Sequence, residues 1–146
     1  MITAQTRMTR QRRIILEELR GTRSHPTAEE IHAMVKARLP KISLGTVYRN
    51  LDFLTASGDI QQINSGGTIR RFDGEMQPHY HVRCLVCGRV GDVAVSGFEP
   101  PALENLRPEA EAFTVLGSRL EFEGYCHRCQ GQGKAEAEPL DALSTA

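Results

Sequence analysis

The sequence predicts an α+β fold in two parts: three helices and a β-hairpin, then a smaller, strand-rich half stapled by four cysteines. Three observations carry this reading. Helical periodicity with capping residues runs through the first half and gives way to two short runs around Ser65-Gly66-Gly67. The four cysteines, Cys84, Cys87, Cys126 and Cys129, form two CxxC pairs. Charge divides between the same halves: residues 1–72 hold twelve Lys and Arg against six Asp and Glu, and residues 73–146 hold six against twelve. A net charge of zero over 146 residues therefore hides a basic surface suited to a polyanion and a second part rich in carboxylates.

The first helix spans Met8 to Leu19, with Ile14, Ile15 and Leu19 on one face. Ser24-His25-Pro26 breaks the pattern. Thr27-Ala28-Glu29-Glu30 is a capping box opening a second helix, whose inward face is Ala28, Ile31, Met34 and Val35 and which Leu39-Pro40 ends. Ser43 caps a third helix running to Ser57, and Gly58 stops it. Leu44, Val47, Leu51 and Leu54 share one narrow arc of that helix. Gly45, Arg49 and Asp52 lie opposite, with Thr46 and Tyr48 on the flanks. Ile60 to Asn64 and Thr68 to Asp73 are short strands joined by the Ser65-Gly66-Gly67 turn. Three helices followed by a hairpin is the order of a winged helix-turn-helix.

In the second half, His79 to Cys84 and Arg89 to Val95 read as strands around a knuckle. Pro101 to Ala112 has helical spacing, with Pro108 inside it. Phe113 to Glu123 reads as a strand. The stretch from Gln130 to Ala146 is rich in Gly, Ala and Glu and lacks periodicity, so a flexible tail is expected. The expected organisation is residues 1–73 as a winged-helix unit, 74–130 as a small α/β dimerisation and metal-binding unit, and 131–146 as the tail. The chain has room for two small domains. It has no apolar run long enough to cross a membrane and no secretory leader at its basic N-terminus, so a cytoplasmic location is expected.

Two-residue spacing lets both thiolates of a CxxC knuckle point at one ion, and two knuckles complete a tetrahedron. Cys84, Cys87, Cys126 and Cys129 are therefore expected to hold a structural Zn2+ rather than to form disulfides or a redox dithiol. His79-Tyr80-His81 puts two imidazoles on one face of a strand. Asp73 stands shortly before them, Asp92 on the following strand, and His25 in the break before the second helix. Imidazole with carboxylate suits Fe(II), Mn(II) or Zn(II). His32 is expected on a helix surface, and His127 as a polar residue between two cysteines.

These motifs together resemble the ferric uptake regulator family, from about Thr9 through Cys129. The matching segments are residues 25–31 (HPTAEEI), 46–51 (TVYRNL), 71–73 (RFD), 79–88 (HYHVRCLVCG), Asp92, and 119–129 with its second CxxC. The nearest branch is the peroxide-sensing repressors. There a regulatory Fe2+ or Mn2+ is held by three His and two Asp, which match His25, Asp73, His79, His81 and Asp92. Tyr80 replaces the carboxylate that iron-sensing members carry between the two histidines, and Asp92 replaces their Glu.

The resemblance implies a cytoplasmic, homodimeric, metal-dependent repressor that binds palindromic double-stranded DNA and is not an enzyme. It implies that the third helix enters the major groove, with Tyr48 and Arg49 on bases and Thr46 and Asn50 secondary. Arg70 or Arg71 reaches phosphates or the minor groove, and Arg10, Arg12 and Arg13 position the backbone. It further implies that peroxide acts through Fe(II)-catalysed oxidation of His25 and His79, loosening the ion's hold on two hinged halves. An iron-, zinc- or manganese-availability sensor of the same family is the alternative. A zinc hydrolase is a distant one, since neither HxE nor HExxH occurs and an enzyme leaves the basic helical half unexplained.

Overall fold

A computed structural model describes residues 7–64, 68–107 and 113–131. Helices α1 (Arg10–Arg20), α2 (Ala28–Val35) and α3 (Leu44–Ala56) are followed by strands β1 (Gln61–Ile63) and β2 (Arg71–Asp73), the winged helix-turn-helix expected from the sequence. Each helix starts where a hydroxyl can satisfy an orphan amide. Thr9 accepts from Arg12 N at 3.3 Å and Ser43 from Thr46 N at 3.1 Å. Thr27 and Glu30 form the anticipated capping box, Thr27 N donating to Glu30 Oε2 at 2.8 Å and Glu30 N to Thr27 Oγ1 at 3.3 Å. Gly58, with φ of +78°, lets the chain turn sharply out of α3.

Ile14, Ile15 and Leu19 of α1, Ile31 and Val35 of α2, and Val47, Leu51 and Leu54 of α3 interlock in one core, closed by Ile60 and Phe72. Burying each such side chain contributes about 1.5–3 kcal/mol. That core makes the winged half a firm platform for its loops. Antiparallel β1 and β2 pair Gln61 with Asp73, so Asp73 ends the wing beside the base of the hairpin.

The second half is a three-stranded sheet in the order β4-β3-β5, with β3 at Tyr80–Cys84, β4 at Val90–Val93 and β5 at Phe122–Gly124. The antiparallel β3–β4 register sets His81 directly opposite Asp92. Parallel β5 sets Glu123 opposite Arg83, and the two side chains form an ion pair. Among the described residues of this half, the buried apolar side chains are Cys84, Val90 and Cys129. Apolar burial alone is thin there, and a metal staple is what such a small sheet needs.

Several boundaries differ from expectation. α2 closes at Val35, with Arg38 N and Leu39 N still turned onto the Val35 carbonyl, so Pro40 follows the helix end rather than causing it. His32 is half-buried, its Nε2 2.9 Å from the Ile42 carbonyl, and ties α2 to the turn before α3. Of the helix expected over Pro101 to Ala112, Leu103–Asn105 forms a single 3-10 turn. Residues 108–112, the 65–67 hairpin turn and all but Gly131 of the expected tail lie outside the described residues. Of the strand expected over Phe113 to Glu123, only its end joins the sheet, where Phe122–Gly124 pair with Val82–Cys84. Residues 113–121 lie outside the sheet, with Phe113 and Leu116 70% and 87% exposed.

Candidate metal centres and nucleic-acid face

His25, Asp73, His79, His81 and Asp92 converge, one ligand atom from each lying within 4.8 Å of every other. They come from the loop between α1 and α2, the end of β2, the entry to β3, β3 itself and β4. His25 Nε2 lies 3.3 Å from Asp73 Oδ2 and 2.9 Å from Asp92 Oδ1. His79 Nε2 lies 2.8 Å and 3.2 Å from the same two oxygens, and His81 Nε2 3.1 Å and 3.8 Å. Three imidazole nitrogens thus face two carboxylate oxygens across one small volume.

For His25 and His79 the far side of the ring sets its direction. His25 Nδ1 meets the Val90 carbonyl at 3.3 Å and His79 Nδ1 the Gln77 carbonyl at 2.7 Å. A carbonyl only accepts, so each Nδ1 carries the proton and each Nε2 lone pair is left for the centre. Asp73 is held likewise, its Oδ1 accepting from Glu75 N at 2.8 Å. Gln61 Nε2 donates to the Glu75 carbonyl at 2.7 Å and reaches Asp73 Oδ2 at 3.5 Å.

The charge balance points the same way. Burial opposes charging His25, but the hydrogen bond and charge of Asp73, then Asp92 and the Val90 carbonyl, outweigh it and lift its pKa. Burial also opposes charging His79, and the Gln77 carbonyl, Asp73 and Asp92 lift it. Asp73 is buried, yet its hydrogen bonds from His25, His81 and Glu75 hold it well below the ordinary carboxylate range. His79 Nε2 is buried without a well-directed hydrogen bond, although Asp73 Oδ2 is only 2.8 Å away. Two carboxylates and three imidazoles, two of them braced from behind and one with an orphaned Nε2, are the donor set a divalent, borderline-to-hard cation satisfies.

Cys84, Cys87, Cys126 and Cys129 form a second cluster, their sulfurs within 4.8 Å of one another and none in a disulfide. Cys87 Sγ and Cys126 Sγ stand 3.7 Å apart. Sulfurs about 2.3 Å from a tetrahedral Zn2+ are about 3.8 Å apart, so the spacing fits. Cys84 Sγ accepts Cys126 N at 3.4 Å. That backbone bond and another from Cys87 pull its thiol down to about 6. Burial and the crowd of neighbouring thiols push Cys129 up to about 12. Crowding of this kind is what a shared cation relieves.

In the winged half, Arg10, Arg13 and Arg49 are exposed. Arg49 Nη2 donates to Thr46 Oγ1 at 3.0 Å. Tyr48 Oη donates to Glu29 Oε1 at 2.6 Å, and its ring lies 5.4 Å from the Arg70 guanidinium. Arg70 also pairs with Asp52 at 3.0 Å. Three residues expected on DNA have internal partners. Asn50 is buried, its amide donating to the Thr46 carbonyl at 2.9 Å and accepting from Arg12 Nε at 3.1 Å. Arg12 is committed to that bond and stacks over Phe53 at 3.6 Å. Arg71 is drawn inward, Nη1 donating to the His25 carbonyl at 3.0 Å.

Sequence reading missed several parts: Glu29, the Val90 and Gln77 carbonyls, Gln61, and the inward role of Arg71. The alternation of Arg71 with Asp73 on one strand face was a usable signal for the last; the carbonyls leave none in side-chain chemistry. A further tie between the halves is Arg119 Nη1, which donates to the Asn64 carbonyl at 3.1 Å.

The family model described as the ferric uptake regulator family matches residues 3–123. The chain is 36% identical over 123 residues to the peroxide operon regulator of Bacillus subtilis, covering 84% of this chain and 83% of that protein. It is 35% identical over 133 residues to the peroxide-responsive repressor PerR of Staphylococcus epidermidis, covering 89% and 85%. Among solved structures, the Vibrio cholerae ferric uptake regulator is similar with a TM-score of 0.58 at 28% identity, covering 82% of this chain and 92% of that one. No helix among the described residues is long and apolar enough to cross a membrane.

Proposed function

Because the chain belongs to the ferric uptake regulator family, we propose that it is a metal-dependent DNA-binding repressor whose hold on its operator is released by peroxide. The observation that carries this is the convergence of five donors from both halves within 4.8 Å. His25 belongs to the winged half, Asp73 ends the wing, and His79, His81 and Asp92 belong to the second sheet. A cation held by all five fixes the angle between residues 1–73 and 74–130, and so the placing of α3. It favours that closed arrangement only by its extra affinity for it.

Fe(II) there would supply electrons to hydrogen peroxide, whereas Mn(II) would supply the same hold with little of that chemistry. By the family resemblance, His25 and His79 are the rings that would gain an oxygen atom. Loss of either Nε2 as a donor uncouples the α1–α2 loop from β3 and β4. The four-cysteine cluster holds Zn2+ and secures the end of the second sheet to the β3–β4 knuckle. Exposed Phe98, Leu103, Phe113 and Leu116 give the second half an apolar surface for another copy. A two-fold pair then presents two α3 helices to a palindrome, with Tyr48 and Arg49 toward bases and Thr46, Arg70, Arg10 and Arg13 around them.

The test uses zinc-loaded full-length protein and a duplex selected from a random pool by the Mn(II)-loaded form. Anisotropy titrations compare no added metal, Mn(II), Fe(II) and Zn(II), before and after hydrogen peroxide. Expected is metal-dependent binding that peroxide abolishes in the Fe(II) form alone, with one oxygen atom gained on a peptide containing His25 or His79. Binding indifferent to added metal overturns the regulatory reading. Metal-dependent binding that ignores peroxide in the Fe(II) form assigns the chain to metal-availability sensing instead.

A further inference from the structure

We propose that Arg71 is a positioning residue of the five-donor centre, holding His25 in the backbone conformation that aims its ring at the cation, and is not a DNA contact. This rests on the reading that the five donors bind a divalent metal.

His25 is buried at 2% exposure and has a φ of +49°. That left-handed region is one a residue with a bulky side chain occupies only where its surroundings hold it. Contacts with β2 do so. Arg71 Nη1 donates to the His25 carbonyl at 3.0 Å. Phe72 N donates to the Pro26 carbonyl at 3.0 Å, and Thr27 pairs with Arg71 in an antiparallel bridge. Two of these are backbone contacts that any side chain at position 71 preserves. The bond to the His25 carbonyl depends on the guanidinium.

That guanidinium is itself located. It lies 3.5 Å from Glu30 Oε2, the oxygen that accepts Thr27 N at 2.8 Å in the α2 capping box. One carboxylate therefore fixes the start of α2 and the brace on His25 together. Arg71 and Asp73 alternate along β2 and share a face, so this strand supplies one donor and braces another. With its side chain only 15% exposed, Arg71 is poorly placed to reach a phosphate. Without the brace, His25 can relax toward an ordinary φ, and its Nε2 leaves the position 2.9 Å from Asp92.

The experiment measures Mn(II) affinity of the zinc-loaded full chain by competition with a fluorescent chelator. It is run at a temperature where the circular dichroism of each metal-free variant superposes on the parent. Arg71→Gln is expected to weaken Mn(II) binding about 10–100-fold, the range typical of outer-shell partners. Arg71→Lys, which keeps a donor and a charge, is expected to recover most of that loss. At saturating Mn(II), Arg71→Gln should bind DNA with the parent's salt dependence. His79→Ala is the control: unchanged Mn(II) affinity there overturns the metal-centre reading itself. Loss in His79→Ala with parental affinity in Arg71→Gln overturns the role of Arg71 alone. A salt slope reduced by about one in Arg71→Gln would mark a phosphate contact and overturn it too.

Discussion

His25 Nε2 stands 2.9 Å from Asp92 Oδ1, so a loop of the helical half touches the second strand of the other sheet. Removing Asp92 takes away an acceptor that His79 also faces, at 3.2 Å. Asp92→Ala is expected to weaken Mn(II) binding at least about a hundredfold, beyond the cost of losing an outer-shell partner. Mn(II) at a hundred times its Kd adds about 2.7 kcal/mol of stability, roughly 10 °C in Tm. In thermal melts that gain should be present in the parent and absent from Asp92→Ala at the same metal concentration. Arg23→Ala should match the parent, because Arg23 is 92% exposed and as far as 3.9 Å from Asp92, a long and solvated ion pair.

The same cluster sets opposite pH dependences with and without metal. In the metal-free chain His25 and His79 are lifted and Asp73 is lowered. The histidine contribution is complete below their ordinary pKa, about 6.5, and is lost as pH rises through the lifted values. The Asp73 contribution is complete above about 3.9 and is lost as pH falls. Metal-free stability from this cluster therefore declines above about pH 6.5. Metal binding runs the other way, gaining about tenfold in affinity per pH unit for each proton displaced. Melts at about pH 5.5, 6.5 and 7.5 should show a Mn(II)-induced gain in Tm that grows with pH. A gain that stays flat removes His25 and His79 from the donor set.

Residues whose chemistry is dictated by spacing were legible in the sequence. The CxxC pairs cluster as their two-residue spacing requires, and Thr27-x-x-Glu30 forms its capping box. The HxH histidines share a strand face, so His79 and His81 meet the same oxygens. Asn50 was legible in part: it follows Val47 and precedes Leu54 at helical spacing, which places it inward. Its partner Arg12 belongs to another helix, and no local pattern shows that pairing. The bond from Arg71 to the His25 carbonyl was not legible, because a basic residue on a wing has two uses and only tertiary contact brings His25 beside it. The stretch 113–121 alternates enough to suggest a strand, but strand formation needs a neighbour that local sequence does not identify.

The second half depends on its cysteines more than the first depends on either metal. Thirteen buried residues, from Ile14 to Phe72, make one core in the winged half, while few apolar side chains are buried in the other. Cys87→Ser is expected to release Zn2+, read by a colorimetric chelator, and to loosen the second sheet selectively. Limited trypsin digestion should then cut rapidly after Arg83, Arg89 or Arg119 and leave a fragment containing α1–α3. Equal survival of both halves would count against a structural zinc.

Two exposed residues of the winged half are expected to act in opposite directions on DNA. Arg49 is exposed on α3, and Arg49→Ala should cost about 1–3 kcal/mol of operator affinity and relax base preference beneath it. Glu29 is an exposed carboxylate that holds the Tyr48 hydroxyl at 2.6 Å. Glu29→Gln removes a charge that repels phosphate and weakens the charge-assisted bond that holds Tyr48, so binding should tighten several-fold, most visibly at low salt. Anisotropy at two salt concentrations separates the two effects. Weaker binding by Glu29→Gln would show that its bond to Tyr48 orders the reading face.

Gly74 is where the chain leaves the wing for the second sheet, and it passes α1 closely. A Cβ there would stand 3.0 Å from both Arg20 N and the Leu19 carbonyl carbon, backbone atoms that cannot rotate away. Gly74→Ala must therefore push the hinge off the end of α1, at about 1–3 kcal/mol for such overpacking. Asp73 is the adjacent residue and supplies a shared donor oxygen, so the displacement should also weaken Mn(II) binding. Gly91→Ala on β4 is the control, since a Cβ there meets nothing within 4 Å although its neighbour Asp92 is also a donor. Loss of Tm and of Mn(II) affinity in Gly74→Ala, with both kept in Gly91→Ala, would show that the path of the hinge over α1 sets the donor geometry. Equal behaviour of the two variants would place that control elsewhere.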